Sequence, residues 1–345
     1  MLFPKETLGC RLFSGGGFIC IMAYFFSIII PVRAINDYIF EAMPHLLSLD
    51  YADYEVLIFP DELPEESVLK QLENEKVRVI ASGKTGPAQK RDMAMQHAKG
   101  DIFAFIDDDA YPRGDWLTNA ARWFADESIG AVGGPGVTPP ETGIRERAGG
   151  FVYASPLCSG SYVRRYVPKK QTEDDDLPSV NLIVRRSVFE SVQGFDSAFY
   201  PGEDTKLCLD ITRKAGKRII YDPEVLVYHH RRPLFYKHLR QVSNYARHRG
   251  YFMKKLPETS LRPAYLLPLL FVLGIVLGAP LAFFFAPLRW VYFSVLALYA
   301  VLDVCTVFHI TAPLSSFLAF WGLFATHVTY GIFTVVGLCQ KTLLR

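Results

Sequence analysis

From Pro257 to Arg345 the chain carries two acidic side chains, Glu258 and Asp303. Within that span lie three apolar stretches, Tyr265–Pro287, Leu288–Ile310 and Ala312–Cys339. Each is near the ~20 residues that a helix needs to cross a bilayer. Pro268, Gly274, Gly278 and Pro280 interrupt the first, which membrane helices tolerate because neighbouring groups re-satisfy the freed backbone. The greasy core of a soluble helical protein is the alternative, and so long a run with two acids argues against it. Three spans are expected, although the short connections would also allow a hairpin that stops short of crossing.

Everything water-soluble must then precede about residue 230. The formal charge of +2 conceals a basic band, because Arg231 to Leu256 holds ten Lys, Arg or His residues and no acid. Leu234, Phe235, Leu239, Val242 and Tyr245 recur through it at roughly helical spacing, the build of an interfacial amphipathic helix on anionic lipid. Nucleic acid is the usual alternative for a basic stripe. The apolar stretches beside it make membrane lipids the better partner, and no nucleic-acid role is expected. Cationic flanks stay on the cytoplasmic side, so the soluble part is expected there, on a multi-pass protein of the cell membrane. Cys10, Cys20, Cys158, Cys208, Cys305 and Cys339 lie at no metal-ligand spacing and read as unpaired thiols.

"GGFICIMAYFFSIIIPV", Gly16–Val32, could be a short anchor or a signal segment. Its second half reads better as a buried parallel strand over roughly Phe25–Val32, ended by proline. The expected organisation is a leader of uncertain structure (1–21), a catalytic domain (22–230), a basic interfacial segment (231–262) and a transmembrane region (263–345). In the catalytic part the apolar runs "SIIIPV", "YEVLIF" (54–59), "KVRVIAS" (76–82) and "DIFAFID" (101–107) alternate with helix-like segments. That alternation marks an α/β fold, a mostly parallel sheet with helices on both faces. Ligands of such sheets collect at the carboxyl ends of the strands, and Asp107 sits at one. No GxxxxGK[ST] nucleotide loop is present.

Three pieces carry chemistry. "FIDDDAYP" places carboxylates at i and i+2 just past a strand, where Asp107 and Asp109 can turn toward one hard cation. Mg²⁺ or Mn²⁺ is held this way, by carboxylates together with substrate phosphates. A helix cap would account for one aspartate of the triplet, not three. "YPGEDTKLCLDI" (200–211) sets Glu203 and Asp204 in the first turn of a helix. Acids favour that position for electrostatic reasons alone, yet one there could also deprotonate an incoming hydroxyl. "VLVYHHRR" (225–232) ends a strand on two imidazoles, either of which could ligate a metal or lie on a basic surface.

In this order the pieces resemble the family 2 glycosyltransferases of GT-A fold. The resemblance runs from about Phe25 to Tyr251 and includes "YEVLIFPD", "GPAQKRDMAMQHAKGDIFAFIDDD", "NLIVRRSVFESVQGFD" and "FYPGED". It implies a nucleotide-diphosphate sugar donor contacted by Pro31, Asp61, Lys90, Arg91 and Asp107, with Gly134 of "GGPG" letting backbone approach the sugar. Asp108 belongs to the same donor-binding stretch, although alternation along an extended chain turns it away from its neighbours. Asp109 and His229, or else His230, are implied as metal contacts, with Mg²⁺ or Mn²⁺ as cofactor. Asp204 is implied as the base and Glu203 as its positioning neighbour. The implied reaction is an inverting transfer of one sugar to a lipid-linked or cell-envelope glycan acceptor.

This chain departs from the pattern at several places. "PVRAIND" lacks the usual Asn-Glu after Pro31, Asp92 stands for an Asn, Asp210 for an Arg, and Gln193 for the first Gly of "GGFD". "RQVSNYARHR" lacks the Trp of a Q-x-x-R-W element, so processive polymer synthesis is not expected. "TEDDDLP" (172–178) reads as a solvated acidic loop. A polyprenyl-phosphate sugar synthase, a nucleotidyltransferase and a non-catalytic sugar-nucleotide-binding scaffold are the competing readings.

Overall fold

The computed structural model describes residues 8–12, 18–22, 24–308, 310 and 312–342. Within the leader, Leu8–Leu12 and Phe18–Met22 pair antiparallel; the rest of that segment lies outside the described residues. The chain forms two compact units. One comprises Met1–Gly136 and Pro168–His229, the other Val137–Val167 and His230–Arg345.

The first unit is built on an eight-stranded sheet. From one edge to the other its strands are Thr172–Asp174, Arg218–Tyr221, Ile129–Gly133, Leu182–Arg185, Ile102–Phe105, Phe26–Pro31, Tyr54–Phe59 and Val77–Val79. Phe26–Pro31 lies at its heart, parallel to both neighbours, while Leu182–Arg185 runs antiparallel between two strands. The central runs are mostly apolar because both faces are covered, and the buried Ser27 of one donates to Glu55 of the next at 2.8 Å. Alternate residues feed two separate cores. Ile28, Ile30, Val56 and Ile58 pack with Ile39, Met43 and Leu46 of the helix Asp37–Leu47 and with Trp116 and Leu117 of Trp116–Ala121. Ile29, Leu57, Phe103 and Phe105 pack with Ala88, Phe189, Leu207 and Ile211 on the opposite face. This is a GT-A-like α/β layer, and the predicted first strand falls within a residue of its observed ends.

Beside the sheet, Ala110–Pro112 and Val227–His229 pair antiparallel, with His229 opposite Ala110 and Tyr228 opposite Tyr111. This short ribbon fixes the rim of the site.

The second unit is helical. Pro263–Phe284, Ala286–Val307 and Pro313–Cys339 are long and apolar enough to cross a membrane, within a few residues of the predicted stretches. The basic helix Tyr236–Lys255 lies along Pro313–Cys339. A Cβ on Gly337 would sit 2.0 Å from the Arg247 carbonyl oxygen, so a residue without one is needed for that close crossing. His238, fully buried, meets Thr326 Oγ1 at 2.9 Å. The segment Val137–Val167, including the helix Ile144–Ala154, belongs to this unit and not to the sheet.

Candidate active site

The strand Ile102–Phe105 ends in a turn closed by the Ala110 amide donating to the Asp107 carbonyl at 3.2 Å. The turn gives the three neighbouring carboxylates different partners. Asp107 accepts from Arg91 Nη2 at 2.6 Å. Asp108 accepts from Asn36 Nδ2 at 2.6 Å. Asp109 lies 3.2 Å from His229 Nε2. Asp108 is thus turned away from its neighbours as expected, but a tight turn does it, not the alternation of an extended chain.

Among the described residues, Asp107, Asp109 and His229 each offer a ligand atom, all within 4.8 Å of one another. The pairing of His229 with Ala110 across the ribbon brings the imidazole to Asp109. His230 instead meets Glu146 Oε1 through Nδ1 at 2.9 Å, within the second unit, so the two histidines have separate surroundings. Two carboxylates and one imidazole are a donor set that suits Mn²⁺ and, through its oxygens, Mg²⁺.

Arg91 joins the two acidic stretches. Its Nη2 bonds Asp107 and its Nη1 donates to Glu203 Oε1 at 3.1 Å. The guanidinium is buried, and its Nε has no hydrogen-bond partner among the described residues. A buried guanidinium donor of this kind is costly unless an acceptor reaches it. Glu203 opens the helix Glu203–Arg213, as its sequence position suggested. Burial, reinforced by the Asp204 charge, pushes the Glu203 carboxyl up to about 7 against the opposing pull of Arg91. Asp204 is half-buried and accepts from the Thr205 amide at 2.7 Å and the Ser179 amide at 3.4 Å.

A cleft of about 870 Å³ opens at the carboxyl ends of the first two sheet strands, lined by Pro31, Arg33, Asp61, Lys84, Lys90 and Asp108 among others. Lys90 is buried; its ammonium bonds the Val32 carbonyl at 2.5 Å and makes a short ion pair with Asp61. Pro31, Asp61, Lys90 and Asp108, far apart in sequence, are thereby brought to one cavity of ligand size. Lys84 was not singled out in the sequence, where nothing distinguishes it from a surface lysine. Gly134 has a different neighbour from the one expected. A Cβ there would lie 1.9 Å from the Val225 carbonyl oxygen and 2.5 Å from that of Asp222, so its bareness accommodates the protein's own backbone.

Two departures acquire reasons. Asp92 Oδ1 accepts from the Phe195 amide at 2.8 Å and pins the turn at Gln193 and Gly194, whose φ angles are 65° and 73°. Burial pushes its carboxyl up to about 7. Asp210 pairs with Lys214 at 3.0 Å and more closely with Lys206, one helical turn to either side. The "TEDDDLP" stretch does not form a solvated loop. Asp174 and Asp176 are buried, and Asp176 Oδ1 accepts from Thr205 Oγ1 at 2.8 Å, next to Asp204.

Residues 27–192 match the model of "Glycosyl transferase family 2". The chain carries a family 2 glycosyltransferase domain. It is 31% identical over 147 residues to the pre-mycofactocin glycosyltransferase of Mycobacterium tuberculosis, covering 43% of this chain and 30% of that one. It is 30% identical over 110 residues to the poly(ribitol-phosphate) beta-N-acetylglucosaminyltransferase TarS of Staphylococcus aureus, covering 30% of this chain and 19% of that one. The match therefore spans less than a third of either relative's length. Among solved structures, a mannosyltransferase of Pyrobaculum calidifontis, determined with GDP-Man and Mn²⁺, superposes with a TM-score of 0.54 at 19% identity. That likeness covers 92% of this chain and 88% of the other, and it bears on the fold.

Proposed function

We propose that this glycosyltransferase moves one sugar from a nucleotide-diphosphate donor to a lipid-linked or cell-envelope glycan acceptor, with inversion at the anomeric carbon. The observation that carries the reading is the convergence of Asp107, Asp109 and His229 beside Arg91 at the strand ends. The cleft holding Asp61 and Lys90 lies next to the same strand ends and would take the nucleoside. The Pyrobaculum calidifontis mannosyltransferase is in complex with a nucleotide sugar, GDP-Man, in keeping with this assignment.

Asp107, Asp109 and His229 would hold Mg²⁺ or Mn²⁺, which when bound supplies positive charge to the departing diphosphate. Arg91 contributes a fixed positive charge and a buried donor, a preorganised arrangement that favours the anionic transition state. Asp204 accepts the proton of the acceptor hydroxyl as the new carbon–oxygen bond forms. The bond to the diphosphate oxygen breaks, and its electron pair leaves with the nucleoside diphosphate. Glu203 is engaged by Arg91 and positions that guanidinium. One displacement at one face needs no second carboxylate as nucleophile. The three helices long and apolar enough to cross a membrane support a membrane-bound enzyme, and the basic helix ahead of them supports a cytoplasmic catalytic unit.

The test is to incubate the purified full chain with Mn²⁺ or Mg²⁺ and a panel of nucleotide sugars and follow released nucleoside diphosphate. Metal-dependent release from one donor is expected. If none binds and none turns over, the reading fails.

A further inference from the structure

The helix that carries Asp204 begins without a capping side chain. Gly202 stands at the cap position of Glu203–Arg213 and offers none, so the first turn has to be fixed by other means. Those means lie in the "TEDDDLP" stretch, 172–178, and the residues that follow it.

Hydrogen bonds dock this segment onto the start of the helix. The Thr205 hydroxyl donates to Asp176 Oδ1 at 2.8 Å. The Ser179 amide reaches Asp204 Oδ2 at 3.4 Å, and the Cys208 thiol donates to the Leu177 carbonyl at 3.5 Å. Asp176 and Thr205 are 2% and 3% exposed, so water does not compete for the bond between them. The turn that delivers Asp176 is set by Asp174, whose Oδ1 accepts from the amides of Asp175 and Asp176 at 2.8 and 3.1 Å. Burial pushes the Cys208 thiol up, and the charges of Asp176, Asp204 and Asp174 add to the effect. The three carboxylates therefore share one neighbourhood.

These bonds connect Asp176 to Asp204 through one residue. Asp204 Oδ1 accepts from the Thr205 amide at 2.7 Å, so the direction of its carboxylate follows the backbone at Thr205. That backbone is tied in turn, through the Thr205 hydroxyl, to Asp176. A carboxylate taken out of water is costly unless it is hydrogen-bonded, and here the bond it makes fixes the first turn of the helix. Reacting groups need such fixing, because a displacement of about 1 Å can cost a factor of about 100 in rate.

The geometry points to Asp176 as a positioning residue for sugar transfer, holding the Asp204 carboxylate toward the acceptor hydroxyl through the Thr205 side chain. This inference rests on the reading of Asp204 as the base proposed above. Asp176 itself touches no reacting atom. Its effect is on the rate of transfer and not on the affinity for the donor, whose cleft is lined by other residues.

The experiment uses the full chain with Mn²⁺ and a nucleotide sugar that the parent protein turns over, following released nucleoside diphosphate. Thr205→Val keeps the shape and removes the hydroxyl. It should lower kcat roughly tenfold and leave the donor KM within about twofold of the parent. Thr205→Ser should restore most of the rate. Asp176→Ala should match Thr205→Val, and the double variant should be no slower than either single one, because both changes remove the same bond. In the Asp204→Asn background, Thr205→Val should change the rate by less than about twofold. Binding of the corresponding nucleoside diphosphate with Mn²⁺ should stay within about twofold in every variant, which reports that they are folded. The inference is overturned if Thr205→Val runs at the parental kcat, if Thr205→Ser is as slow as Thr205→Val, or if the loss is undiminished in the Asp204→Asn background. Transfer by Asp204→Asn at the parental rate, or a parent that turns over no donor, contradicts the reading of Asp204 as the base, and the inference falls with it. Slow transfer by Asp204→Asn beside parental transfer by Thr205→Val leaves that reading standing and removes Asp176 from it.

Discussion

Arg91 donates to Asp107 at 2.6 Å and with its other terminal nitrogen reaches Glu203, 112 residues away in sequence. One buried cation thus couples the acid stretch at a strand end to the acid pair at a helix start. Replacing it by glutamine leaves carboxylates facing each other without their counter-charge. Arg91→Gln should lower folding stability by about 2–3 kcal/mol at pH 8. The loss should be smaller at pH 6, where Glu203, pushed up to about 7 by burial, takes up a proton. Urea denaturation at the two pH values measures the difference.

The aspartate triplet should divide by function. Asp109 stands beside His229 and Asp108 beside Asn36. Asp109→Asn should reduce turnover by roughly 100-fold and raise the Mn²⁺ concentration needed for half-maximal rate, because it removes a proposed ligand. Asp108→Asn keeps an acceptor oxygen and should stay within roughly threefold of the parent at any Mn²⁺ concentration. Steady-state rates across a metal titration distinguish the two.

Asp92 makes folding stability depend on pH. Its folded carboxyl is pushed up to about 7 from 3.8, with burial as the main cause. A raised acid binds its proton more tightly when folded, so stability falls as pH rises from about 4 to about 7 and then levels. Asp92→Asn removes that charge and keeps an oxygen for the Phe195 amide. The variant should be more stable than the parent by about 1–2 kcal/mol at pH 8 and show no gain at pH 4. Thermal melts at both pH values provide the check.

The sheet was legible because its central strands are buried on both faces and therefore written as mostly apolar runs, as in Phe26–Pro31. The nearness of Asp107 and Asp109 was legible because they are close in sequence. Long-range placement was not. Nothing local in "TEDDDLP" tells that Asp176 will be buried against Thr205, 29 residues on. Gly134 was read as facing a ligand, whereas its neighbours are carbonyls of Asp222 and Val225, about 90 residues later. The inclusion of Val137–Val167 in the helical unit likewise leaves no mark in composition. The difference between His229 and His230 depends on cross-strand register, which two adjacent imidazoles do not encode.

The central claim is that Asp204 takes the proton of the acceptor hydroxyl. Its most direct test is Asp204→Asn, assayed with a donor that the parent protein turns over. The account predicts donor affinity within about twofold of the parent and a transfer rate at least roughly 100-fold lower. Transfer by Asp204→Asn at the parental rate would contradict it.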